Sequence, residues 1–209
     1  MSLLRRRGIL KISSGGGGLP SEYQQVEYIG ISANGPYLAT NYTPIQGDEI
    51  ECAFELNGTA LATLFSAGTG TYQTIFSPEG GRNCCYIKAF QTGKASVASK
   101  WNTNRMTLLL KNPTSILSTT SGDVSVSTPF QGELDGDQTT LWLFRRRNGG
   151  DGVASIIYSF LIVNSGVTKL NLIPCYRKSD GVIGMYDMVS QTFYTNVGTG
   201  TFTKGADVN

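Results

Sequence analysis

The stretch Ile173-Pro-Cys-Tyr-Arg-Lys-Ser-Asp-Gly-Val-Ile-Gly-Met-Tyr-Asp-Met-Val-Ser-Gln-Thr-Phe-Tyr-Thr-Asn196 decides the fold class. Asp180-Gly181 makes a turn, because Gly accepts a positive φ without steric cost and Asp bonds its own backbone. Beyond it Val182, Gly184, Tyr186 and Met188 fall on one face of a strand, since successive side chains alternate. Ser190-Gln191 turns the chain again, and Phe193 and Tyr194 begin the return. Turns separated by alternating runs predict an antiparallel hairpin whose residues build the fold.

Working outward, the pattern recurs. Gln25-Val-Glu-Tyr-Ile29 alternates and opens the domain, and Pro36 to Thr40 follows a turn at Asn34-Gly35. Glu49-Ile-Glu-Cys-Ala-Phe-Glu-Leu56 alternates acid and apolar residues, as a half-buried strand does. Asn57-Gly58 then turns the chain and Thr59 to Ala67 returns. Tyr72 to Phe76 and Cys85 to Phe90 make a pair around a Pro78-Glu-Gly-Gly81 loop. Arg105 to Lys111 is a strand stopped by Asn112-Pro113. Thr139 to Phe144 and Ser155 to Val163 flank a turn at Asn148-Gly-Gly-Asp-Gly152. Leu170 to Cys175 leads into the closing hairpin, and Thr199 to Lys204 follows it. About a dozen short strands without an amphipathic helix predict an all-β chain, a two-sheet antiparallel jelly-roll sandwich with a short N-terminal arm.

The chain has 209 residues, of which 40% are hydrophobic, with ten Tyr and nine Phe. That is enough to bury one core over residues 19–209 without disulfides or a metal. Residues 1–18 differ from the rest: Leu3, Leu4, Ile9, Leu10 and Ile12 interleave with Arg5, Arg6, Arg7 and Lys11, and four glycines follow. The glycines form a flexible linker. The segment before them reads as a docking peptide, with apolar anchors for pockets and arginines for acidic or phosphate groups. No apolar run reaches the length of a membrane span. The first residues lack the long apolar core and small-residue cleavage site of a secretory signal, so release by lysis or within a particle is expected. A net charge of +2 is too small to suggest a nucleic-acid partner.

Two stretches carry a resemblance. Leu19-Pro-Ser-Glu-Tyr-Gln-Gln-Val-Glu-Tyr-Ile29 resembles the opening of a lectin-like domain common in phage structural proteins and gut bacterial surface proteins. Ile173 to Asn196, with Gly198-Thr-Gly-Thr-Phe202 behind it, is similar to its closing hairpin. Members resemble concanavalin A-like and laminin G-like jelly rolls, and the similarity spans roughly residues 19–205. The resemblance implies a sandwich in a virion or cell-surface setting, and it carries no ligand with it.

The chain contains no His. That removes Ser-His and Cys-His nucleophile pairs, imidazole metal sites and the commonest neutral-pH base. Cys52, Cys84, Cys85 and Cys175 lack C-x-x-C spacing and read as buried small hydrophobes in a reducing cytosol. Sequence leaves a Cys52–Cys175 bridge open. Glu133-Leu-Asp-Gly-Asp-Gln138 resembles the E-x-D-x-x-E strand of retaining glycosidases on the same jelly roll, whose chemistry needs two carboxyls about 5–5.5 Å apart. Here Gln138 stands at the acid/base position and Gly136-Asp137 favours a turn, so the chain is expected not to be an enzyme.

Other candidates are for binding. Asp135 and Asp137 could contribute to a Ca²⁺ site of the kind laminin G-like domains hold at the rim, although a D-x-D pair without further fixed ligands better suits a solvated turn. No other cofactor is expected. Arg145, Arg146 and Arg147 fit an interface rim or a solvated loop. Trp142, inside an apolar run, reads as core, whereas Trp101 with Asn102 and Asn104 is the candidate glycan platform. Together these predict a non-enzymatic virion structural protein, a head-decoration, head-fibre or tail-associated component. It would dock on a phage capsid or tail protein through residues 1–18 and present a face to host or mucosal glycans. The alternative is a free or cell-surface carbohydrate-binding module. Edge strands of such a sandwich also invite a homo-oligomer.

Overall fold

The computed structural model describes residues 18–32, 35–45, 47–56, 63–67, 74–79, 84–88, 95–98, 104–111, 114–119, 122–127, 139–146 and 154–209. Among these residues every regular element is a strand. In chain order they are β1 (Tyr23–Gln25), β2 (Ile29–Ile31), β3 (Leu38–Ala39), β4 (Asp48–Leu56), β5 (Phe65–Ala67) and β6 (Thr74–Glu79). Next come β7 (Cys84–Lys88), β8 (Ala95–Ala98), β9 (Met106–Lys111), β10 (Thr114–Thr119), β11 (Gly122–Ser127) and β12 (Trp142–Leu143). The last five are β13 (Ser155–Asn164), β14 (Val167–Arg177), β15 (Ile183–Asp187), β16 (Thr192–Thr195) and β17 (Thr203–Lys204). No helix among the described residues is long and apolar enough to cross a membrane.

The strands form two antiparallel sheets in a sandwich. The larger runs β11-β10-β9-β4-β13-β14-β15-β16, with β1 beside β14, β2 beside β13 and β17 beside β2. The smaller runs β3-β12-β5-β6-β7-β8. The alternation in β4 explains the division of faces. Ile50, Cys52, Phe54 and Leu56 turn inward and are fully buried, while Glu49, Glu51 and Glu55 stay partly exposed on the other face. The neighbours match in register, Phe160 and Ile162 of β13 opposite Cys52 and Ile50, and Leu108 and Leu110 of β9 opposite the same two residues. The smaller sheet adds Leu38, Phe65 and Leu143 to this core. The Phe65 and Phe160 rings meet edge-on at 5.2 Å, the aromatic geometry that adds to plain area burial. Each large side chain removed from water this way contributes about 1.5–3 kcal/mol. The sheets also meet at their margins, with Leu38 bridged to Asn196 beside β16 and β11 lying against β8.

Four local expectations are corrected. Thr59 to Ala67 does not return beside β4, whose two edges are taken by β9 and β13; β5 lies in the other sheet. Longer partners with matching apolar faces outcompete the three-residue β5. The Pro78 loop is instead the end of β6, with Pro78 opposite Cys85. This is allowed because β5 pairs only with Thr74 to Phe76, so no partner on that side needs the N–H that proline lacks. The opening strand is split into β1 and β2, because Val26 and Glu27 bond the C-terminal segment at Asp207 and Ala206. Trp142 is not core: Leu141 and Leu143 on either side face inward, which turns the indole out to stack on Tyr37 at 4.6 Å. The closing hairpin forms, but β15 ends at Asp187 and the turn takes Met188 to Gln191 rather than Ser190-Gln191 alone, so Asp187 lies opposite Thr192 and Tyr186 opposite Phe193.

Candidate functional site

The closing hairpin and the loop behind it shape a surface cleft. At its first wall Gly181 takes φ +71°, as the Asp180-Gly181 turn requires. Asp180 is gripped by Arg177, whose Nε and Nη2 donate at 3.1 and 2.6 Å, and by the Val182 N–H at 3.1 Å. These bonds, Arg177 first, hold the exposed Asp180 carboxyl below its ordinary range. At the second wall Asn196 Oδ1 accepts from the Tyr37 and Gly198 N–H groups at 3.1 and 2.8 Å, while Nδ2 donates to the Gly200 carbonyl at 2.8 Å. Gly198 packs so tightly on the Gly35 carbonyl that no β-carbon fits there. The cleft between the walls has a volume of about 320 Å³. Val182, Ile183 and the buried Phe202 give it an apolar base, and Thr195 and Thr201 add hydroxyls.

The outer face of the larger sheet carries two aromatic groups. Tyr23 packs on Tyr186 and Phe193 with centroids 5.0 and 4.8 Å apart. Further along, the Tyr158 hydroxyl donates to Glu55 at 2.6 Å, and the Arg105 guanidinium lies 4.1 Å over the Tyr158 ring. Burial, aided by the Glu55 bond, pushes the Tyr158 hydroxyl up to about 12. Two buried carboxylates serve turns. Asp48 accepts from the Tyr42 hydroxyl, the Ile45 N–H and Asn164 Nδ2 at 2.7, 2.9 and 2.9 Å. Burial, with this bond to Asp48, drives the Tyr42 hydroxyl far above its usual range. Asp187 accepts from the N–H groups of Asn171, Val189 and Ser190 and from the Ser190 hydroxyl.

Of the residues singled out from sequence, Leu3 to Ile12, Trp101, Asn102, Glu133, Asp135, Asp137, Gln138 and Arg147 lie outside the described residues. Asn104 is exposed and directly precedes Arg105 of the Tyr158 group. Arg145 lays its guanidinium 5.0 Å from the Tyr37 ring centroid and gives its carbonyl to the Ser66 hydroxyl, an intramolecular role that sequence did not reveal. Arg146 is half-buried beside it. Cys52 and Cys175 are both free and buried. Cys52 belongs to the core between the sheets, whereas Cys175, one position out of phase with Leu170 and Leu172, faces the other side, so the two cannot bridge. The cleft was missed in the sequence. Its signal was Asn196 among Gly198 and Gly200, a loop that turns back toward the Asp180-Gly181 turn.

No known protein family matches the chain, and no curated protein does. Among solved structures the chain is similar to the crystal structure of Scytalido-glutamic peptidase with a peptide-based transition-state analogue. The identity is 14%, the TM-score 0.37, and the match covers 91% of this chain and all of that one. The expectation that the chain is not an enzyme is withdrawn: this neighbour is an enzyme, and an all-β fold by itself leaves activity open. Identity and TM-score at this level bring no activity, substrate or residue role to the chain.

Proposed function

We propose that the chain is a virion structural protein, a head-decoration, head-fibre or tail-associated component that docks through residues 1–18 and presents a sandwich face to glycans. The observation that supports this reading is the adjacency of the two stretches that resemble phage and bacterial surface domains. β1 lies on β14 with Tyr23 opposite Arg177 and Gln25 opposite Cys175. Tyr23 then covers Tyr186 and Phe193 of the closing hairpin. Motifs at opposite ends of the sequence thus build one ladder, as a shared domain unit requires. The root of the arm also suits a tether, since Gly18 is exposed with open space around its α-carbon. An apolar and basic peptide on a Gly linker can then reach a partner without disturbing the sandwich.

The test is deletion of residues 1–18, followed by thermal melting and by co-sedimentation with the particle. The shortened chain is expected to melt like the full chain and to be lost from the particle. Unchanged particle association would sink the tethering role. Absence of the full chain from every particle, with glycan binding intact, would instead favour a free or cell-surface carbohydrate-binding module.

A further inference from the structure

The geometry points to the cleft between the β14–β15 turn and the loop from Asn196 to Phe202 as the glycan site, sized for one uncharged sugar ring at the end of a chain. This rests on the reading that the sandwich presents a glycan-binding face. A sugar offers an apolar C–H face and a rim of hydroxyls that both donate and accept, and it needs a surface with the same division. The cleft has that division: Val182 and Phe202 form the apolar side, and Asp180, Thr195, Asn196 and Thr201 the polar rim. Its volume of about 320 Å³ lies at the small end of ligand sites.

The polar groups are set before any ligand arrives. Arg177 and the Val182 N–H fix the Asp180 carboxylate, and three hydrogen bonds fix the Asn196 amide. Little side-chain freedom is then lost on binding, which is how preorganised sites gain affinity. One Asn196 Nδ2 hydrogen goes to Gly200, and the amide carries a second for a ligand oxygen. The Asp180 carboxylate is paired with Arg177, so the rim is electrically balanced and suits an uncharged sugar. Gly181 leaves open space where a side chain would stand, which lets a ring approach the backbone. The outer aromatic groups are poorer platforms, because Arg105 covers the Tyr158 ring and Tyr23, Tyr186 and Phe193 pack on each other.

The experiment uses the full chain and free galactose, mannose, fucose and N-acetylglucosamine, read by saturation-transfer NMR and titration calorimetry. A glycan array is run beside them. Thr201→Trp fills the cleft from an exposed position, and Asp180→Ala removes an exposed ion pair and one exposed bond to the Val182 N–H, so both variants are expected to melt within a few degrees of the parent. Affinity for the bound sugar is expected to fall about tenfold or more in each. Trp101→Ala, at the platform first read from sequence, is expected to stay within about twofold of the parent. Sugar binding that survives both cleft variants, or that is lost with Trp101→Ala alone, overturns the cleft and leaves the glycan reading standing. No binding by the parent to any free sugar or to the array sinks the glycan reading and this inference together.

Discussion

At Gly198 a β-carbon would run into the Gly35 carbonyl, and at Gly184 it would meet the Tyr194 carbonyl beneath the Phe193 ring. Both glycines lie where backbone must touch backbone, so neither neighbour can swing aside. Gly198→Ala and Gly184→Ala are each expected to cost about 1–3 kcal/mol by overpacking, measured as a shift in the urea midpoint with an unchanged slope. The thiols give a second residue-scale prediction. Burial pushes Cys175 up to about 12, partly opposed by a backbone bond from Tyr186, and moves Cys52 in the same direction. An unfolded thiol titrates near 8.5, so between about pH 8.5 and 12 the unfolded chain loses a proton that the folded chain keeps. Stability therefore falls as pH rises through that window and is unaffected by these groups below it. Melting temperature against pH should show the alkaline fall, and Cys175→Ala should flatten part of it. In the native chain, mass-spectrometric mapping after iodoacetamide should find Cys52 and Cys175 unlabelled.

The β15–β16 hairpin depends on one carboxylate. Asp187, 1% exposed, gathers the N–H groups of Asn171, Val189 and Ser190, and so fastens the turn to β14. Asp187→Ala strands those donors and is expected to cost about 2–3 kcal/mol, with hydrogen exchange rising first at Val189 and Ser190. β4 was legible in the sequence because apolar residues alternate with acidic ones, and this hairpin because turn signals at Asp180-Gly181 and Ser190-Gln191 bracket its first strand. β10 and β11 were not, since Thr114 to Thr119 and Gly122 to Ser127 contain mostly Ser, Thr and small residues. Their strand state follows from the open edge of β9, whose backbone groups they satisfy in turn. Trp142 was misread for the opposite reason: in Leu-Trp-Leu-Phe every residue is apolar, so residue type could not tell which ones face inward.

Across the whole molecule, stability centres on the layer between the sheets. Phe160 of the larger sheet meets Phe65 of the smaller, and both are fully buried. Phe160→Ala is expected to cost about 3–5 kcal/mol in chemical unfolding, because it opens a cavity that two sheets cannot close together. A loss below about 1 kcal/mol would mean that the sheets do not pack at this point. The crossings between sheets, including the one between β4 and β5, escaped the sequence reading. A turn signal marks where the chain reverses and leaves open which edge it joins.

The sequence by itself determined most of the strand-forming stretches, the existence of the closing hairpin, and a core built from alternating apolar residues. Those properties are local: period-two alternation and turn chemistry act within a few residues. Tertiary structure alone decided that β4 lies between β9 and β13, that Cys52 and Cys175 face opposite sides, and that the turn at Asp180 and the loop at Asn196 close on one cleft. Backbone hydrogen bonds are alike in every strand, so the choice among partners rests on which apolar faces can be buried together, a property of the assembled sandwich.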